Sequence, residues 1–113
     1  MPDYSAPLQQ MRFTIEHLAD FKNVAALQSY SAVDAGTLDA VLEEAGRFAS
    51  GVLAPTNWPG DRKGVQVVDR AVQVPPEFTD AYARFSAGGW PGIAANPDFG
   101  GQGLPKTISI ACD

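Results

Sequence analysis

The chain has 113 residues, of which 45% are apolar and 19% charged, with a net charge of -5; this suits one compact domain with a radius of gyration of about 13 Å and is too little for two cores. No apolar stretch approaches the ~20 residues of a bilayer-spanning helix, and no cluster of Lys and Arg offers a footprint for nucleic acid. A single cysteine, Cys112, and a single histidine, His17, exclude an internal disulfide, a thiolate zinc scaffold and a histidine-rich metal site.

In chain order, Pro7 suits a first-turn position, and Leu8, Met11, Ile15 and Leu18 fall at spacings of 3, 4 and 3, so the pattern predicts a helix over residues 7–19 with those four on one face. Phe13 points elsewhere, either plugging a neighbouring element or standing as an exposed ring. A short helical turn is expected between Val24 and Tyr30. The strongest element runs from Asp34 to Leu53: Leu38, Val41, Leu42, Ala45, Phe48, Ala49, Val52 and Leu53 form one amphipathic stripe. Asp34 is placed to cap it and Pro55 to stop it. The polar composition of Thr56–Gly64, with Trp58 its one large apolar side chain, predicts a loop.

Two alternating runs, Val65–Val67 and Val72–Val74, predict a small hairpin with a four-residue connection, Val68–Ala71. Two strands seldom hold together alone in water, so its valine face is expected to lie on a helix or on protein outside this chain. Pro76 can open a further helix carrying Phe78, Ala81, Tyr82 and Phe85 on one side, ended by Gly88 and Gly89. Trp90–Pro105 is rich in glycine and proline and predicts a long loop with buried anchors at Trp90, Ile93 and Phe99. Thr107–Cys112 looks like the opening turns of another helix that halts without a stop signal, so the chain is expected to be the front piece of a longer polypeptide. The fold class is mainly α: a small helical domain with one short β-hairpin and a long Gly/Pro-rich C-terminal loop.

Few residues suggest chemistry of their own. Glu43 and Glu44 are adjacent on a helix, about 100° apart, and cannot face one site. His17 reads as a surface residue complementing a helix end rather than a base. Trp58 and Trp90 read as packing anchors before stacking platforms. The glycines of Gly100-Gly101-Gln102-Gly103 could aim amides at a phosphate, but no strand precedes them and no Gly-Lys-Ser/Thr comes after, so a structural bend is the better reading. Cys112 has no histidine near it in sequence and does not read as a nucleophile.

Four stretches, in order, resemble the N-terminal part of the flavin-dependent acyl-CoA dehydrogenases, above all the long bacterial type that includes the methylmercaptopropionyl-CoA dehydrogenases. They are Tyr4–Phe13; Leu38–Phe48 with Val52–Pro55 and Asn57; Gly60-Asp61-Arg62 through Val74-Pro75-Pro76-Glu77-Phe78; and Gly89-Trp90, Pro97 and Phe99–Pro105. Departures are Gln10 where an acidic residue is common, Arg70-Ala71 in place of an Asp-Gly-like hairpin tip, which leaves the turn type open, and Trp58-Pro59 in a more polar loop. The resemblance implies residues 1–33 as an N-terminal extension with the first helix and residues 34–113 as the family's N-terminal helical domain, cut at 113. For the parent enzyme it implies FAD, an acyl-CoA substrate oxidised to the enoyl thioester, an electron acceptor, the remaining domains of the same enzyme as partners and a homo-oligomer.

None of the family's catalytic glutamates, flavin contacts in the β-domain or CoA-binding positions matches a motif in this chain, and no metal site is expected. The resemblance leaves a substrate-channel loop at Phe99, Gly100, Gly101 and Gly103, and a scaffold that supplies part of the acyl-chain wall, binds no FAD and is inactive alone. With Asp3 and no basic residue at the start, the chain does not read as a signal peptide, so cytoplasm is the expected compartment. The rival reading is a stand-alone helical module that binds a partner protein.

Overall fold

Helices follow the apolar spacing, with departures where the backbone widens or proline intervenes. The structure, a computed structural model, describes residues 3–113. The first helix, α1 (Leu8–Phe13), widens into a π-helical turn over Thr14–Leu18. Ile15 is buried, and Leu8 and Met11 pack against the core. Leu18, expected on the same face, is 76% exposed: a π turn holds more residues than an α turn and rotates the next side chains off the 3.6-residue stripe. Phe13 is an exposed ring that meets His17 with centroids 4.7 Å apart. Asp20, at φ 52, turns the chain into α2 (Phe21–Ala25), which buries Phe21, and a 3₁₀ turn comes next at Gln28–Tyr30.

The long helix begins as its sequence predicts. In α3 (Ala35–Phe48) the Asp34 carboxylate accepts the Thr37 amide at 2.8 Å, and Leu38 and Leu42 are fully buried. It does not stop at Pro55. A π-helical turn over Ala49–Leu53 leads directly into α4 (Ala54–Lys63), so both the stop at Pro55 and the loop over Thr56–Gly64 are overturned. Inside a regular helix Pro55 would drive its ring into the carbonyl four residues back. The widened turn before it relieves that clash, and Pro55 falls at a helix start, where a missing N–H costs little. Gly64, at φ 63, ends α4, its amide donating to the Gly60 carbonyl at 2.8 Å.

The hairpin is present with a shorter connection than predicted. β1 (Gln66–Val68) and β2 (Ala71–Gln73) pair antiparallel, Val67 opposite Val72. The turn is the two residues Asp69 and Arg70, both at positive φ (50 and 63), the type I′ pattern that matches strand twist. No side chain of either strand is buried. α5 (Pro76–Ala87) returns alongside α4, with the Phe78 ring against Gly60 and a Lys63–Glu77 ion pair joining them. Ala81 is buried, yet Tyr82, expected on the same face, is 69% exposed because the face it occupies has no neighbour.

Gly88 and Gly89 end α5 as predicted, Gly89 at φ 77. The segment beyond contains 3₁₀ turns at Trp90–Gly92 and Pro97–Phe99. Ile93 is buried and Trp90 packs against the core, but Phe99 is 88% exposed, which overturns its role as an anchor. Gly100, at φ 85, reverses the chain immediately after it, leaving the ring at the tip of the turn. α6 (Lys106–Cys112) lies on α3 with Ile108 fully buried.

One buried cluster, Ile15, Phe21, Leu38, Leu42, Ile93 and Ile108, holds these elements together. It is a small core in a flat body. The radius of gyration is 16.9 Å and the extents are 53 × 36 × 18 Å, against the roughly 13 Å expected of a compact chain of this length. The thin dimension is less than two helix diameters of about 10–12 Å. Among the described residues no helix is long and apolar enough to cross a membrane.

Candidate functional site

The break in regularity at the π turn Ala49–Leu53 borders an open trough of about 1070 Å³. Three sets of residues line it. Asp3–Ala6 come from the extended N-terminal segment, with Leu8 and Met11 of α1. Leu42, Ala45 and Gly46 of α3 continue through Ala49, Ser50 and Leu53 into Trp58 of α4. The end of α6 contributes Ala111 and Cys112, and Asp113 lines it just beyond the helix. Small residues at 45, 46 and 49 make this side shallow, and at Gly46 the chain comes close: an added Cβ would meet the Leu8 side chain at 3.4 Å.

The trough offers little reactive chemistry. The Ser50 hydroxyl donates to the Gly46 carbonyl at 2.9 Å, as serine commonly does inside a helix. Burial, followed by the neighbouring Asp113 carboxylate, pushes the Cys112 thiol above its ordinary value, which keeps it protonated and poorly nucleophilic at neutral pH. Trp58 at the rim is 52% exposed, with the Arg62 guanidinium 4.5 Å from its ring centroid. It is a cation–π pair at the surface, not the buried anchor its indole suggested. Trp90 does act as an anchor, 6.1 Å from the Phe48 ring.

The glycine loop lies outside the trough. Phe99, Gly100, Gly101 and Gly103 sit together on one bend, and its amides are engaged. Those of Gly100, Gly101, Gln102 and Gly103 donate to the carbonyls of Pro97, Asn96, Gly92 and Ala95 at 2.9–3.1 Å. Donors spent on the backbone cannot cradle an anion, so this loop does not fit a phosphate or the pyrophosphate of a dinucleotide. Its glycines have steric reasons instead: Gly100 and Gly103 have positive φ, and a Cβ on Gly101 would overlap the Ala95 carbonyl. Glu43 and Glu44 are exposed and pair with Arg47 at 3.7 and 2.9 Å, and His17 is also at the surface. Among the described residues no group of three or more His, Cys, Asp or Glu side chains could hold a metal ion.

Sequence reasoning missed the trough. Its only signal was the spacing of small residues along the long helix. The missed continuation through Pro55 hid the part of its lining that α4 supplies.

No family model matches the chain. Its sequence is nevertheless similar to that of an acyl-CoA dehydrogenase, as the four ordered stretches led us to expect. In particular, it is similar to the 3-methylmercaptopropionyl-CoA dehydrogenase of Ruegeria pomeroyi, with 37% identity over 108 residues. The alignment covers 96% of this chain and 18% of that enzyme, so the chain spans less than a fifth of its relative's length.

Proposed function

We propose that the chain is the N-terminal helical part of an FAD-dependent acyl-CoA dehydrogenase whose substrate is a short thioester such as 3-methylmercaptopropionyl-CoA. The match over 96% of the chain carries this reading, and the flat body with its exposed apolar side chains supports it. In this reading residues 1–33 are an extension and residues 34–113 a helical domain. The parent works in the cytoplasm as a homo-oligomer and passes electrons to an external acceptor.

FAD, when bound, supplies the hydride acceptor for α,β-dehydrogenation. This chain's contribution is mechanical. Its engaged glycine amides and alkyl-lined trough give neither a base nor a pyrophosphate cradle. Instead they supply a stiff scaffold, and the bend at Phe99–Gly103 forms part of the acyl-chain wall, excluding water from the thioester's apolar tail. The chain alone is inactive.

The test is to purify both the 113-residue chain and the product of its complete reading frame, then record flavin absorbance and dye-linked oxidation of 3-methylmercaptopropionyl-CoA. The longer protein is expected to be yellow and active and the chain colourless and inactive. A longer protein that neither retains flavin nor oxidises any acyl-CoA thioester overturns the reading.

A further inference from the structure

We infer that residues 54–87, comprising α4, the hairpin and α5, form an arm that opens and recloses as one unit while the rest of the fold stays intact.

Burial separates the arm from the body. Among the described residues, the core cluster and the partly buried apolar side chains packed against it all lie in residues 8–42 and 90–112. Within the arm the buried residues are Gly60, Pro75 and Ala81, and every residue from 61 to 74 is exposed. Small buried side chains remove little apolar surface from water, so the arm draws little on the hydrophobic term that holds the core. A segment with few buried apolar contacts and a solvent-exposed backbone is one that opens below the threshold for global unfolding.

Contacts inside the arm make that opening concerted. The Phe78 ring sits on Gly60, the Lys63 ammonium pairs with the Glu77 carboxylate, and β1 pairs with β2. Each helix is therefore held by the other, and loss of one strips the second of its partner. The two connections to the body suit a hinge. The arm leaves α3 through the π turn Ala49–Leu53, where a Cβ on Gly51 would meet nothing within 4 Å, and returns through Gly88 and Gly89, the latter at φ 77. Glycine and a widened turn absorb backbone rotation at low cost. Across this joint Phe85 meets Phe48 with ring centroids 6.2 Å apart, a contact that opening breaks. The result is a segment that passes between order and disorder without dismantling the core, a device that switching proteins use.

Native-state hydrogen exchange, read by mass spectrometry on the product of the complete reading frame, tests the inference. After correction for intrinsic rates, the slowest amides of α4 and α5 are expected to exchange at least tenfold faster than the slowest of α3 and α6, and within threefold of each other. A smaller separation from the core overturns the inference, and so does a larger spread between the two arm helices.

Two substitutions probe the units separately. Ile108→Val trims a fully buried core side chain and leaves the arm's contacts in place, so the ratio of arm to core exchange rates is expected to fall at least threefold; a smaller fall means that arm and core open together and overturns the inference. Pro59→Ala removes the proline from inside α4 and is expected to slow the amides of α5 as well as α4 at least threefold. Slowing that stops at α4 overturns the concerted unit. Flavin content and thioester oxidation do not enter these rates, so failure of the enzymatic reading leaves the arm standing, and failure of the arm leaves that reading untouched.

Discussion

Asp34 shows how one side chain fixes an element. Its carboxylate accepts the Thr37 amide and hydroxyl at 2.8 and 3.0 Å, and the amide bond is the main reason its pKa lies below the ordinary carboxylate value. Glu77 is held low first by its hydrogen bond to Lys63. For both groups the unfolded chain binds protons more tightly than the folded one. The stability they add is therefore present above the unfolded carboxylate range, near pH 4, and lost as pH falls through the lower folded values. Acid titration followed by circular dichroism is expected to show this loss, and Asp34→Ala to lower the thermal midpoint and flatten the acid limb, with Asp34→Asn retaining most of the cap. At Gly101 the obstacle to a side chain is the Ala95 backbone carbonyl, which cannot swing aside; at Gly60 it is the far end of the Phe78 ring, which can. Gly101→Ala is thus expected to cost about 1–3 kcal/mol in chemical denaturation, and Gly60→Ala distinctly less.

The continuous run of α3, the π turn and α4 carries the largest difference from expectation at the scale of elements. The cap at Asp34 and the stripe through Leu38 and Leu42 were legible because they follow local periodicity. The continuation past Pro55 was not, because proline and polar residues point to a break, and only packing of α4 against α5 outweighs that preference. Pro59 still removes a helical donor within α4. Pro59→Ala is accordingly expected to raise the thermal midpoint, the gain bounded by the ~3 kcal/mol of a helix-interior proline. The hairpin presents a different case. Val67 and Val72 face each other, 73% and 69% exposed, so changing both to threonine is expected to leave stability within about 0.5 kcal/mol while increasing the solubility of the 113-residue chain. Denaturation curves and saturation concentrations check the two halves separately.

For the whole molecule, the small core is decisive. Six buried side chains hold a flat body together, and Leu42 stands at its centre with no exposed surface. Leu42→Ala is expected to cost about 2–5 kcal/mol, a large share of the 5–15 kcal/mol typical of a domain, and to leave the 113-residue chain largely unfolded at 37 °C by circular dichroism. The compact body expected from length alone is absent because helices laid in a thin layer cannot enclose their own apolar faces. The same geometry leaves Tyr82, Phe99 and the hairpin valines in solvent.

By itself the sequence determined the mainly α class, the cap and stripe of α3, the existence of the hairpin, the glycine stop after α5 and the resemblance to the acyl-CoA dehydrogenases, because each is written in residues close together along the chain. Only the tertiary structure decided that α4 is helical, that Phe99 stands free and that the N-terminal segment, the π turn and α6 meet around one trough. These depend on which distant side chains are neighbours, and that is fixed by packing rather than by local preference.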